Sequence, residues 1–391
     1  MISIKAVFLL ILIFLQIQII SCSSSSVGIS GSNSGSKELI VSPKFIRAAS
    51  EQKIQKYRKI NRARPMEYGK LLILANAHDG LTAFDLETGE KKWHFFVFNG
   101  VEKEPVLYKD NLYFGGNDGN FYSIKAQNGV ENWKSQIKSE IVASPSFDSE
   151  EGRVYFLTTT NSLFALDAEN GKQVWTYTRQ DPSNYSIRGG TTPLIHHQLI
   201  YVGFSEGSFV AFNKSNGTIN WEIQLNKNKR FKDIDSTAVL SEGKIFVSGY
   251  DDKLFCLASA NGEILWRFEA GGYLPVTIKQ DLLYYPSTNG KVYALNKNTA
   301  KKVWEIEVLD GIPSEISLIG QMLVFGESQG SIVFFNASDG KKIKSFEPGR
   351  GILSSILVNE KKSEVYFISG EANLYALEVK WKYKNLFSFV D

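Results

Sequence analysis

Six of the seven tryptophans in this 391-residue chain close the same short phrase. It reads AFDLETGEKKW at 83–93, SIKAQNGVENW at 123–133 and ALDAENGKQVW at 165–175. It returns as AFNKSNGTINW at 211–221, CLASANGEILW at 256–266 and ALNKNTAKKVW at 294–304. A seventh copy, FFNASDGKKIK at 334–344, ends in lysine, and an eighth stops after Tyr375-Ala376-Leu377-Glu378. A strand-rich unit of about 40 residues cannot bury its apolar surface alone. Copies must stack, and the arrangement that does so for short strands is a β-propeller.

Two turn signals punctuate each copy. One is Asp79-Gly80, Asp118-Gly119, Glu206-Gly207, Asn289-Gly290 or Gln329-Gly330; the other, just ahead of the tryptophan, is Asn128-Gly129, Asn170-Gly171, Asn216-Gly217, Asn261-Gly262 or Asp339-Gly340. Such pairs accept the positive φ of tight hairpins. With the strand pair upstream (PVLY at 105–108, NLYFGG at 111–116) the unit has four strands, A to D, with the tryptophan on D. Eight copies predict an all-β, eight-bladed propeller of four-stranded antiparallel blades over 65–391. An open ring would leave sheet edges unpaired. Residues 38–64 are therefore expected to help closure, with Leu39–Ala48 supplying or covering the outer strand of the last blade. The tail Lys382–Val390 is the alternative. Trp93, Trp133, Trp175, Trp221, Trp266 and Trp304 are expected to dock each blade on the next. One tryptophan per blade fits packing better than a sugar or cofactor platform. Cys256 stands where the phrase usually has alanine and reads as a small buried residue.

Residues 1–21 read as a signal peptide: Lys5, then an apolar run from Ala6 to Ile20 broken only by Gln16 and Gln18. The run is short for a membrane span. It ends in Ile19-Ile20-Ser21-Cys22, which resembles the bacterial lipobox and implies acylation of Cys22. Residues 22–37 then form a Ser/Gly tether spanning roughly 20 Å.

Charge is near balance, 44 basic against 41 acidic residues, which argues against nucleic acid as an obligatory partner. Two cysteines without a CxxC exclude a thiolate zinc site. His196-His197 falls in an A–B turn, and His78 and His94 stand apart, so no metal site is expected.

The AxDxxTGxxxW phrase resembles the PQQ-type propeller repeat over about residues 65–378, a family of quinoprotein dehydrogenases and non-catalytic scaffolds. Many of those enzymes carry adjacent cysteines over the quinone, and no such pair is present here. The resemblance therefore implies neither a cofactor nor a small-molecule substrate. It is closer to the BamB family of lipoproteins in the outer-membrane β-barrel assembly machinery. Ser186-Ile187-Arg188-Gly189 with Thr191-Thr192-Pro193 is similar to that family's Leu-Arg-Gly loop. Asp233-Ile234-Asp235-Ser236-Thr237 is similar to its Asp-x-Asp-Thr-Thr stretch. The resemblance implies contact with the periplasmic POTRA domains of the BamA insertase through Tyr185, Ile187, Arg188, Asp233 and Asp235. Tyr185 departs from the aliphatic residue common in the family.

Spacing singles out the same two places. From the phrase tryptophan to the next strand A the common gap is 12 residues, but it is 18 from Trp175 to Pro193 and 17 from Trp221 to Ala238. Long loops on a rigid scaffold usually carry binding. Residues 176–192 and 222–237 follow adjacent blades and return on one face, where Arg188, Ile187 and the two aspartates are expected to form a mixed patch. The basic run Lys53–Arg64 reads as a solvated lead-in to the first blade, or as a contact with anionic headgroups. Together these features predict a non-catalytic scaffold anchored by lipid in the outer membrane and facing the periplasm. A PQQ-dependent dehydrogenase and a general ligand-binding propeller are the alternatives.

Overall fold

The computed structural model describes residues 37–49, 60–179, 190–227, 231–250 and 253–383. Cys22, Tyr185, Ile187 and Arg188 lie outside them. The described residues form eight four-stranded antiparallel sheets, the blades of a propeller ring, as the repeat predicts. Seven blades are continuous in sequence, in the order A-B-C-D from the axis outward. The eighth has the order Leu357–Asn359, Glu364–Ile368, Asn373–Tyr383 and then Lys37–Ala48, so its outer strand comes from the other end of the chain. Residues Leu39–Trp381 form one compact unit.

The core has no single centre. Buried apolar residues fall into eight clusters, each shared by two neighbouring blades. One joins Ile73, Leu81 and Ala83 of the first blade to Leu112, Phe114 and Ile124 of the second. Another joins Phe45 and Tyr366 of the eighth to Leu72 and Phe84 of the first. Strands B and C are covered on both faces, so they read as near-continuous apolar runs rather than alternating ones.

Each position of the phrase has a task. Its Asp or Asn makes a side-chain turn: Asp167 Oδ1 accepts from Glu169 N at 2.9 Å and Asn170 N at 3.1 Å, and Asn296 Oδ1 does the same for Asn298 and Thr299. Its small residue faces the tryptophan across the C–D pair, as in Ala83–Trp93, Ala211–Trp221 and Cys256–Trp266, which leaves room for the indole. A bulge follows at that point in seven blades. The seventh blade has neither part, pairing Phe334 with Lys344. Cys256 is fully buried, and burial pushes its thiol up to about 11.

The turn glycine is the socket for the preceding blade's tryptophan. A Cβ on Gly262 would lie 2.7 Å from the Trp221 ring, and one on Gly217 2.7 Å from the Trp175 ring. These glycines also have φ of 75° and 72°, so both space and backbone require glycine. In the sixth blade Ala300 takes the position at φ 59°. In five of the six cases, Trp93 being the exception, the indole nitrogen donates to a carbonyl of the next blade, as Trp175 does to Lys214 O at 3.0 Å and Trp221 to Ser259 O at 3.2 Å. A tyrosine of strand B uses the same oxygen: Tyr155 on Lys214 O, Tyr201 on Ser259 O, Tyr284 on Ala337 O, each at 3.1 Å.

Lys214 adds a buried charge at one such junction. Its Nζ lies 2.8 Å from Asp148 Oδ2 and 2.6 Å from Glu150 Oε2 of the preceding blade, and its side chain is 2% exposed. Removing one member of a buried pair strands the other. Lys214→Ala is expected to cost about 3 kcal/mol in urea unfolding, and the double change Lys214→Met with Asp148→Leu clearly less.

Candidate functional site

Four antiparallel strands bring the chain back to the face from which strand A departed. Every D–A connection and every B–C turn therefore lies on one face, and the A–B and C–D turns on the other. The basic run belongs to the first group. Residues 49–65 join the outer strand Lys37–Ala48 to the inner strand Met66–Tyr68, so they are the D–A connection across the seam of the ring. At its described end the run is not a solvated lead-in. Asn61 and Ala63 are buried, the Arg64 guanidinium pairs with Glu315, and Ser355 N donates to Arg62 O at 3.3 Å. Three long D–A connections thus share a face: 49–65, and those that follow the outer strands ending at Thr178 and Gln224, within the spans 176–192 and 222–237.

The last two are tied where they begin. Arg179, the first residue beyond the third blade's outer strand, pairs with Glu222 near the end of the fourth blade's outer strand (Ile219–Gln224), just before the other connection starts, and its Nε lies 2.7 Å from Glu206 in the intervening B–C turn. Its guanidinium rests over Phe204 at 5.6 Å. They are also latched where they end. Thr191 Oγ1 donates to Gly203 O at 3.1 Å, and Ser236 Oγ accepts from Ser248 N at 2.7 Å. Ser314 and Ser354, three residues ahead of their own inner strands, hold Gly326 and Ile368 in the same way. Part of each family-like stretch is therefore a latch that recurs around the ring.

The two aspartates do not form a surface patch. Ile234 is buried, donates its N–H to Phe204 O at 3.2 Å, and presses so close to Gly203 that a Cβ there would meet Ile234 O at 2.3 Å. This pins the chain, leaving Asp233 with no exposed surface while its carbonyl accepts from Tyr250 N at 3.3 Å. Asp235 turns instead into a cavity of about 270 Å³ on the ring axis, shared with Arg62, Tyr250 and Tyr273. Sequence reasoning missed Arg62, Tyr250 and Tyr273 because none belongs to the repeated phrase.

Burial pushes the Asp235 carboxyl well above its usual range, Asp233 pushes the same way, and Arg62 opposes them. An acid whose folded pKa exceeds its unfolded one destabilises the fold increasingly as pH rises past the unfolded value. Asp235→Asn is expected to raise Tm, with the gain over the parent growing from about pH 4 to about pH 7.

The face also carries exposed apolar side chains at Ile60, Phe98, Phe231 and Leu309, with Phe98 65% and Leu309 76% exposed. Such residues around a depression are typical of an interaction surface. His196 and His197 lie on the opposite face, rings 4.0 Å apart, with His197 at φ 52° in a tight turn. Among the described residues no group of three or more His, Cys, Asp or Glu is arranged to hold a metal ion.

The family model described as outer membrane protein assembly factor BamB matches residues 49–142 and 77–306. Curated relatives with that name include those of Shewanella oneidensis, 22% identical over 80% of this chain and 83% of its own length, and Escherichia coli, 25% identical over 69% and 70%. Among solved structures, BamB from Moraxella catarrhalis superposes with a TM-score of 0.73 at 18% identity, covering 87% of this chain and all of that one. The quinohemoprotein alcohol dehydrogenase of Comamonas testosteroni gives 0.73 at 14% identity over 90% of this chain and 78% of its own. Equal scores for an assembly factor and a dehydrogenase show that the ring itself is shared and that its function rests elsewhere.

Proposed function

This chain belongs to the BamB family of outer membrane protein assembly factors, and from that premise we propose that it is a non-catalytic scaffold that docks on the insertase of the barrel-assembly machinery. Acylation of Cys22 anchors it in the outer membrane, and the 22–37 tether lets the ring hang into the periplasm. The D–A face meets the POTRA domains of a BamA-like protein through the adjacent connections 176–192 and 222–237. Tyr185, Ile187 and Arg188 supply the direct contacts. Asp233 holds its connection in shape from beneath, and Asp235 opens onto the axial pocket.

The observation that carries this reading is the convergence on one face. The described ends of the two long connections, the Arg179–Glu222 pair at their base, the exposed Phe98, Phe231 and Leu309, and the axial cavity all lie there. Interfaces draw affinity from a few arginine and aromatic or aliphatic anchors. Arg188→Ala is expected to weaken capture of the insertase's periplasmic domains by about 2 kcal/mol, roughly thirtyfold, without changing Tm. Capture at parental affinity would remove these loops from the interface.

A further inference from the structure

The axial cavity is built from one repeated position. In seven of eight blades the residue four ahead of the inner strand lines it: Arg62, Glu102, Val142 and Gly190 on one half of the ring, Asp235, Tyr273 and Leu353 on the other. In the remaining blade the lining residue, Ile312, comes one earlier. The wall is thus uneven. Val142, Leu353 and Ile312 make part of it apolar. Arg62 and Asp235 stand before the first and fifth blades, opposite one another in an eight-fold ring. Arg62 extends across the axis, its guanidinium 5.7 Å from the centre of the Tyr273 ring. Tyr273 stacks on Tyr250, centroids 6.0 Å apart. The Arg62 Nε is buried and meets no acceptor among the described residues.

We propose that this cavity is the anchoring subsite of the D–A face and takes one aromatic side chain from the docked partner. The inference rests on the scaffold reading and deepens it. A guanidinium already stacked on one ring offers its other face to a second, which gives a cation–π sandwich in a desolvated place. The apolar wall covers the ring edges, and the volume has room for one such side chain but not for a folded element. Continuity with the docking loops is direct: connection 176–192 delivers Gly190 to the cavity, and connection 222–237 delivers Asp235. A partner segment held by those loops therefore lies beside the opening. Aromatic anchors in central pockets are the usual form of an interface hot spot.

The test uses the full chain and ligand-observed saturation-transfer NMR. The probes are N-acetyl-tyrosinamide, N-acetyl-tryptophanamide and N-acetyl-leucinamide at about millimolar concentration. Val142→Trp and Leu353→Trp fill the cavity from different walls, and thermal unfolding verifies each fold. The expected result is transfer to both aromatic probes, reduced about fivefold or more in both filled variants, with little to the leucine probe. No transfer to the aromatic probes, equal transfer to the leucine probe, or undiminished transfer in two folded variants would overturn the proposal. Capture of the insertase's periplasmic domains by the same variants separates the two readings. Weakened capture supports the anchor. Parental capture by both filled variants, alongside loss in Arg188→Ala, overturns the anchor and leaves the scaffold standing.

Discussion

Trp221→Ala is expected to lower the unfolding free energy by about 3–4 kcal/mol. The indole fills the gap over Ala211, packs into the cluster shared by the fourth and fifth blades, and donates to Ser259 O. Truncation leaves a cavity that the rigid turn at Gly262 cannot close. The Ser259 carbonyl keeps one donor, Tyr201 Oη at 3.1 Å, so the loss is chiefly packing rather than an abandoned acceptor. Tyr201→Phe alone should therefore cost only about 1 kcal/mol, whereas the double variant should lose more than the sum of the two. Urea titrations of the four proteins measure this directly. A loss below about 1 kcal/mol for Trp221→Ala would mean that the tryptophans do not join the blades.

Legibility followed repetition. The phrase recurs because an Asx turn, a socket glycine, a small residue and an indole serve most of the junctions, so chain order alone revealed the fold and the blade number. Where a position recurs in space but changes chemistry, the sequence is silent. The residue four ahead of each inner strand is arginine, glutamate, valine, glycine, aspartate, tyrosine, proline and leucine in turn, and nothing marks these as one ring. The buried end of the basic run, Asn61–Arg64, escaped notice for a related reason. It follows no phrase, because the strand before it lies at the opposite end of the chain from its own blade, so it did not register as a D–A connection. Asp233 and Asp235 were legible as a pair but not in direction. Ile234 pressing against Gly203 decides which way each one turns, and that contact lies 31 residues apart in sequence.

The larger effect is expected at the seam. Deleting residues 39–48 removes the outer strand of the eighth blade, and with it Leu39 and Phe45, each about one-tenth exposed or less in clusters shared with the seventh and first blades. Burial of two such side chains contributes about 4–6 kcal/mol before any strand hydrogen bond is counted. It also removes the Lys44 ammonium, which bridges Glu87 of the first blade at 2.6 Å and Glu364 of the eighth at 2.9 Å. Whole domains are stable by only about 5–15 kcal/mol, so the shortened chain should populate open or unfolded forms at ambient temperature. Amide exchange in Glu364–Ile368 and Leu71–Asn76, on the two sides of the gap, should accelerate well before that in the fourth and fifth blades. A synthetic peptide of residues 37–49 supplied in excess should restore the cooperative melt, because the vacated edge of Asn373–Tyr383 remains a template for a single antiparallel strand. If the deleted protein melts like the parent, the ring does not depend on that strand for closure, and its stability must come from the seven continuous blades alone.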